Sequence, residues 1–314
     1  MKLKLTIAIP TFNRKELLRE CLNSIIPQYR EGMEIYISDN ASQDGTKEMI
    51  ETEFNYHFIR YKRNNENVGS DRNFIQCFNN GQGEYLHMLS DDDLLLPGTV
   101  DALFSFFEMK PSMIYLNNCN IGDEKKIEIN QNFRKFHEIM DFINYVGIYI
   151  TFLSGIVLRK EYVDKVVNKE RFINTNFPQS YVAIECLGMG DCAIVKETPG
   201  IAFRPGDAHG YNFYHVWGTE YLKLLGYLKK VGCNEREIKQ FCIRTLNHDI
   251  VGFILGFRIY GTQLDMSGCK ELLIQIRNMP QTWLPIGFVI FTPKKILVVA
   301  SQIKHFILKD KNSV

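Results

Sequence analysis

The chain has 314 residues, 45% hydrophobic and 23% charged, with 37 Lys and Arg against 36 Asp and Glu and a net charge of +1. That length can bury a large core, while the balanced charge and the lack of a basic block interleaved with aromatics exclude nucleic acid as a partner. Eight scattered cysteines form no C-x-x-C pair, which argues against zinc and for a reducing compartment, and Met1-Lys-Leu-Lys-Leu5 enters a strand without an apolar leader, so a cytoplasmic protein is expected.

The first hundred residues alternate strand and helix. Leu3–Ile9 reads as a β-rich run ended by Pro10-Thr-Phe-Asn-Arg14. The helix after it has Asn13 and Glu16 spaced as a capping box and Leu18, Cys21, Leu22 and Ile25 on one face. Glu34–Ser38, His57–Tyr61 and Glu84–Leu89 read as the next strands. Helices begin near Thr46 and after Gly69, the second with Phe74, Cys77 and Phe78 on its buried face and Gly81-Gln-Gly83 at its end. This alternation predicts an α/β fold, a mostly parallel, Rossmann-like sheet flanked by helices. Right-handed crossovers place the polar loops at one sheet edge, so Phe12, Asp39, Asn67, Arg72 and Asp91–Asp93 are expected to converge.

Beyond Pro97 the spacing of Val100, Leu103, Phe104 and Phe107 predicts a helix, followed by a strand at Met113–Leu116 and a polar excursion from Asn117 to Asn132. Phe133–Val146 is predicted helical, and Ile150–Arg159 a strand whose Gly155 allows close approach of a ligand or another backbone. Helices at Glu161–Asn168 and Tyr181–Gly188 and short strands at Asp191–Val195 and Ile201–Phe203 complete a first domain, residues 1–214. From His215 the pattern is one of amphipathic helices, Tyr221–Val231, Glu235–Tyr260 and about Lys270–Met279, in a second region, residues 215–314. Its tail, Trp283–Leu308, has two apolar runs split by Thr292-Pro-Lys-Lys295, each too short to span a membrane. A Trp and flanking lysines suit an interfacial helix on the inner membrane face; a helix packed on the first domain or in a homodimer is the other reading.

The stretch Ser90-Asp91-Asp92-Asp93 ends the fourth strand. Burying unpaired carboxylates costs several kcal/mol each, so the triplet should meet water, a cation or a positively charged group. It suits Mg2+ or Mn2+ shared with a diphosphate, or it is a solvated acidic turn capping the next helix. Asp39 stands where an acid reads a ribose or a base edge, and Arg72 opens a helix whose N–H groups favour phosphate. Phe12 either stacks on a base or plugs the core. No G-x-G-x-x-G follows the first strand and no P-loop is present, which removes ordinary dinucleotide and P-loop readings.

Pro10-Thr-Phe-Asn-Arg14, Ser38-Asp39-Asn40-Ala-Ser-x-Asp44-Gly45, Asn67-x-Gly69-x-x-Arg72-Asn73, Gly83-Glu-Tyr and Ser90-Asp-Asp-Asp93-x-x-x-Pro97 together resemble the nucleotide-sugar glycosyltransferases of family 2, of the bacterial surface-polysaccharide type. The resemblance covers residues 3 to about 110 and implies a GT-A fold with inverting transfer from a nucleoside-diphosphate sugar, first of all a UDP-sugar, to a glycan or lipid-linked acceptor. It implies that Pro10, Thr11, Phe12, Arg14 and Asp39 hold the base, that Asn40, Asn67, Gly69, Arg72 and Asp91 complete the nucleotide site, and that Asp92 is the main metal ligand. Asp93 would lie near the sugar or the metal, and His209 matches a loop histidine that meets metal or diphosphate. Many members have Asp where Ser90 stands, so weak or ligand-dependent binding of Mn2+ or Mg2+ is expected. The family's catalytic Glu-Asp pair would fall at Phe177–Tyr181, which has no carboxylate. Glu185, Asp191 and Asp93 are the candidate catalytic carboxylates in its place. The missing pair keeps open a non-catalytic nucleotide- or glycan-binding module.

Overall fold

The computed structural model describes residues 2–123, 130–205, 212–260 and 266–299. The chain divides into one unit of Met1–Asp207 with Tyr227–Cys233 and a second of Ala208–Gly226 with Asn234–Val314.

Strands β1 (Leu5–Thr11) and β2 (Met33–Asp39) are buried at every position, as strands covered on both faces are. β1 pairs in parallel with β2 and with β4 (Tyr85–Met88), and β3 (Ile59–Arg63) pairs in parallel with β2. The other half of the sheet is mixed. β8 (Ile156–Arg159) runs antiparallel to both β4 and β6 (Met113–Asn120), and β9 (Ala193–Phe203) runs parallel to β6. With β5 (Leu94–Leu95) the order is β3-β2-β1-β4-β8-β6-β9-β5, and β7 (Phe133–Phe136) pairs with β9 beside this path. Two reversals leave β9 pointing the same way as β4, a direction that decides which residues reach the site.

Helices α1 (Lys15–Ile25), α2 (Thr46–Glu53), α3 (Ser70–Asn80), α4 (Thr99–Phe107), α5 (Ile139–Val146), α6 (Lys160–Lys165) and α7 (Pro178–Met189) accompany the sheet. Leu18, Cys21, Leu22 and Ile25 of α1 enter one core cluster with Ile7, Ile9, Ile35 and Ile37, each such burial worth about 1.5–3 kcal/mol. This architecture is the α/β sheet flanked by helices that the alternation of elements predicts.

Several boundaries differ from the sequence pattern for identifiable reasons. The capping box does not form: Asn13 takes a left-handed φ of 53°, its Oδ1 accepts from Gln43 N at 2.7 Å, and α1 has no side-chain cap. Phe133–Phe136 is a strand rather than the start of a helix, because pairing with β9 outweighs local helical spacing. The two short strands expected at 191–195 and 201–203 are one strand, Ala193–Phe203, whose extra residues around Pro199-Gly200 fall where the register with β6 shifts between Leu116 and Asn118. Residues Gly147–Thr151 and Leu153–Gly155 are 3-10 turns, so the strand expected at Ile150 starts at Ile156. The close approach at Gly155 is made by the side-chain ring of Tyr115 and not by the ligand or backbone expected: a Cβ there would lie 2.5 Å from Tyr115 Cε2.

Helices α8 (Tyr221–Tyr227), α9 (Glu235–Thr245), α10 (Val251–Tyr260), α11 (Met266–Gln275) and α12 (Pro280–Phe291) follow. Pro285 lies inside α12 and has no N–H for the Gln281 carbonyl, which accepts instead from Asn247 Nδ2 at 3.1 Å. Arg258 closes the far end of α12, donating to the carbonyls of Val289, Ile290 and Thr292 at 2.7, 2.7 and 2.6 Å.

Candidate active site

Three loops at the C-terminal ends of β1, β2 and β3 are tied together by short polar side chains. Asn13 N donates to Ser42 Oγ at 2.9 Å, and Asp44 accepts from Lys15 N at 2.8 Å and from Thr46 Oγ1 at 2.6 Å. Asn40 donates to Asn67 Oδ1 at 2.7 Å and accepts from Val68 N and Asn64 Nδ2 at 2.9 and 3.1 Å. Asn73, buried on α3, accepts from Ser38 Oγ at 2.7 Å and donates to the Ser38 carbonyl at 2.9 Å. Gly69 caps α3 at φ +86°, a conformation that favours glycine.

The acidic strand end is shaped by Pro10. Ala8 accepts from Leu89 N at 3.0 Å, so Pro10, two residues on, faces the same neighbour without an N–H to offer. The β1–β4 register accordingly ends at Ala8 and Met88, and the chain turns across the sheet edge. There Thr11 Oγ1 donates to Asp91 at 2.7 Å, and Arg14 Nη1 reaches Asp91 Oδ1 at 3.0 Å and Asp92 Oδ2 at 2.9 Å. Ser90 Oγ donates to Asp92 Oδ1 at 2.6 Å. Ser154 accepts from Ser90 N at 2.9 Å and donates to Asp93 Oδ2 at 2.5 Å, while Arg204 N donates to Asp93 Oδ1 at 3.1 Å. Burial pushes the Asp91 carboxyl up to about 6 against the opposing pull of Arg14, and pushes Asp93 up to about 6 against its bond from Ser154.

These loops surround a cavity of about 360 Å3. Of the expected nucleotide set, Pro10, Thr11, Phe12, Arg14, Asn40, Asn67, Gly69 and Asp91 line it. Ser90, Ser70, Asn73, Phe74 and Leu153 join them; Phe74 thus faces the cavity rather than the core, and Leu153 arrives from a turn that local sequence gives no reason to place here. Asp39 does not line it. That carboxylate is fully buried, accepting from Ser42 N at 2.8 Å and from the Tyr61 hydroxyl, with Arg63 Nε at 3.6 Å. Arg72 is exposed on the first turn of α3 and makes no hydrogen bond or ion pair with the described residues. His209 lies outside the described residues.

The candidate catalytic carboxylates do not gather here. Asp93 is buried with both oxygens bonded inside the protein, which makes it an anchor for Ser154 and Arg204. Asp191 precedes β9, and since β9 runs as β4 does, that position is at the opposite sheet edge from Asp91. Glu185 is two turns into α7, paired with Arg171 and accepting from the Tyr227 hydroxyl in a separate groove. The first turn of α7 is tied to the turn that precedes Leu153, Gln179 and Ser180 donating to the carbonyls of Thr151 and Ile150. Ser154, which the sequence marks only as the neighbour of Gly155, holds the acidic turn.

Asp91 Oδ1 and Asp92 Oδ2 converge on one nitrogen of Arg14, a point already filled by positive charge. Mg2+ or Mn2+ commonly takes one or two protein carboxylates and completes its shell with water and substrate phosphates. Among the described residues no group of three His, Cys, Asp or Glu could hold a metal alone. The donor set therefore fits a cation shared with a phosphate ligand in place of the half-exposed guanidinium.

The family model described as glycosyl transferase family 2 matches residues 6–167. The abequosyltransferase RfbV of Salmonella typhimurium is 25% identical over 333 residues, covering 96% of this chain and 99% of that protein. A Campylobacter jejuni GalNAc(5)-diNAcBac-PP-undecaprenol beta-1,3-glucosyltransferase is 32% identical over 123 residues, 38% of this chain and 40% of its own length. Among solved structures, S. aureus TarS in complex with UDP-GlcNAc aligns with TM-score 0.64 at 13% identity, over 89% of this chain and 81% of that one. The mannosyltransferase PcManGT from Pyrobaculum calidifontis, in complex with GDP-Man and Mn2+, aligns with TM-score 0.55 at 15% identity, over 92% and 86%. At such identities the structural likeness is one of fold.

Proposed function

The chain belongs to glycosyl transferase family 2 and is a glycosyltransferase, and from that premise we propose that it moves a sugar from a UDP-sugar to a hydroxyl of a glycan or lipid-linked acceptor. The observation that carries this reading is the convergence of the family's loops on one cavity with an acidic turn at its rim. Its volume suits a small ligand, and its wall includes the amides of Asn40, Asn67 and Asn73 and the rings of Phe12 and Phe74, chemistry that holds a base and a ribose. Phe12, 39% exposed, offers a face for stacking. Arg14, the N-terminal turn of α3 and the exposed Arg72 would supply positive charge for a diphosphate. Asp92, with Asp91, would hold a divalent cation, which offsets charge on the departing diphosphate.

In the transfer, the acceptor oxygen bonds to the anomeric carbon as the bond from that carbon to the diphosphate oxygen breaks. The electron pair leaves with UDP, and the hydroxyl proton passes to a base that is neither Glu185 nor Asp191. Inversion at the anomeric carbon follows from this single displacement. A screen of nucleotide sugars for UDP release, with calorimetry of UDP in the presence and absence of Mn2+, tests the proposal; absence of UDP binding with metal present counts against it. A non-catalytic binding module is favoured by one observation, the first turn of α7 without a carboxylate. Turnover of any donor discards that alternative. Among the described residues no helix is long and apolar enough to cross a membrane. An acceptor presented at a membrane's inner face is part of the proposal.

A further inference from the structure

The outer face of α12 is bare and apolar. Leu284, Phe288 and Phe291 are 63%, 59% and 61% exposed, and their i, i+4, i+7 spacing sets them on one side of the helix. Thr282, Ile286, Val289 and Ile290 face inward and are buried, so the helix carries apolar residues on both its buried and its exposed side. After the break at Pro293 a helical segment at 294–299 leaves Ile296 and Val299 more than half exposed while Leu297 is buried. Apolar faces of this kind mark interaction surfaces.

The charge beside the face identifies its partner. Lys294 and Lys295 are exposed next to it, and from Pro280 to Val314 the sequence has five lysines and one acid, Asp310. Two copies meeting through this face would bring like charges together, whereas anionic headgroups complement them. Trp283, 38% exposed, stands beside Leu284, as an aromatic does at a lipid–water boundary. At 12 residues α12 is about 18 Å long, too short to cross a hydrocarbon core of about 30 Å. Its backbone is also prepared for a poorly hydrated setting. Asn247 satisfies the carbonyl freed by Pro285, and Arg258 satisfies three carbonyls at the C-terminal end. The geometry points to an anionic bilayer surface as the partner, with α12 lying in the interface plane and Leu284, Phe288 and Phe291 inserted among the lipids.

Flotation of the full chain with phosphatidylcholine vesicles, with and without phosphatidylglycerol, tests this. Wild type floats with the anionic vesicles only. The triple variant Leu284→Ser, Phe288→Ser, Phe291→Ser loses partition by roughly tenfold or more, and Lys294→Gln with Lys295→Gln loses several-fold together with much of the salt dependence. UDP affinity stays unchanged in every variant, which separates this surface from the cavity. Equal flotation of wild type and triple variant overturns the inference, as does no flotation by wild type. A dimer dissociated by the triple variant, without a change in flotation, assigns the face to a second copy and overturns it. Flotation gained only when the chain is ended at Val299 assigns the face to residues 300–314, with the same consequence.

Discussion

Arg14 Nη1 lies 2.9 Å from Asp92 Oδ2, and the same nitrogen lies 3.0 Å from Asp91 Oδ1. A guanidinium thus stands where two carboxylates would grip a metal. Mn2+ alone is expected to leave the melting temperature of the wild type unchanged and to raise it when UDP is added. In Arg14→Ala the carboxylates lose their cation, and Mn2+ alone should raise the melting temperature by about 2–4 °C. Differential scanning fluorimetry reads both, and a wild-type response to Mn2+ alone contradicts the competition.

Asp92→Ala should fold and lose transfer. Its side chain is 21% exposed and, among the described residues, only Ser90 and Arg14 depend on it, so the stability cost is small. UDP release from the preferred donor should drop by roughly a hundredfold or more, as on loss of a group that stabilises developing charge. Retention of most of the activity removes Asp92 from the machinery.

Ser154→Ala should be costly although the hydroxyl meets no ligand. Its oxygen joins Ser90 N to Asp93 Oδ2, and truncation leaves a backbone donor and one carboxylate oxygen without their partner, while Arg204 N still holds Asp93 Oδ1. The expected cost is about 2–3 kcal/mol in urea denaturation. Ser154→Thr, which keeps the hydroxyl, separates loss of the bond from loss of shape.

His87 gives stability a dependence on acid. It is fully buried in β4, Nε2 lies 2.8 Å from the Ser154 carbonyl, and burial pushes its pKa down to about 4. The unfolded imidazole binds a proton near 6.5, so the unfolded chain gains protons first as pH falls, and stability is lost between about 6.5 and 4. The shift corresponds to about 3 kcal/mol. Asp91 and Asp93, raised to about 6, act in the opposite direction below that pH. The comparison is therefore with His87→Gln, which retains both aspartates: its urea midpoint should fall less across this window, and equal slopes refute the assignment.

Glu185→Gln should affect stability more than chemistry. Its carboxylate is held by Arg171 and Tyr227, away from the acidic turn, so kcat should stay within roughly threefold while stability falls by about 1 kcal/mol for a partly exposed pair. A fall in kcat of a hundredfold restores it as a base.

The parts of the fold legible in sequence are those with local causes. The buried runs of β1, β2 and β4 and the apolar stripe of α1 follow from periodicity, and the convergence of their loops follows from the hand of the crossovers. What was not legible depends on partners distant in sequence. Phe133–Phe136 becomes a strand only because β9 is there, and β9 runs on past its own extra residues only because β6 pairs with it on both sides of them. The acids divide in the same way. Sequence places Asp39, Asp91, Asp92 and Asp93 at one edge, but whether a carboxylate looks outward depends on Tyr61, Ser154 or Arg204 claiming it first. Glu185 and Asp191 were near in sequence to the expected base and far from it once the strand directions and the length of α7 are known.

The amide ties among the loops have a consequence for recognition. Asn13, Asn40, Asn67 and Asn73 bond one another's loops through groups that neither titrate nor attract counterions. Their hold is indifferent to ionic strength, whereas the grip of Arg14 on an anion weakens as salt rises. The two halves of a bound nucleotide would then respond to the medium separately: a nucleoside without phosphates meets the same preshaped wall in dilute and in concentrated salt, and only the phosphorylated end feels the difference.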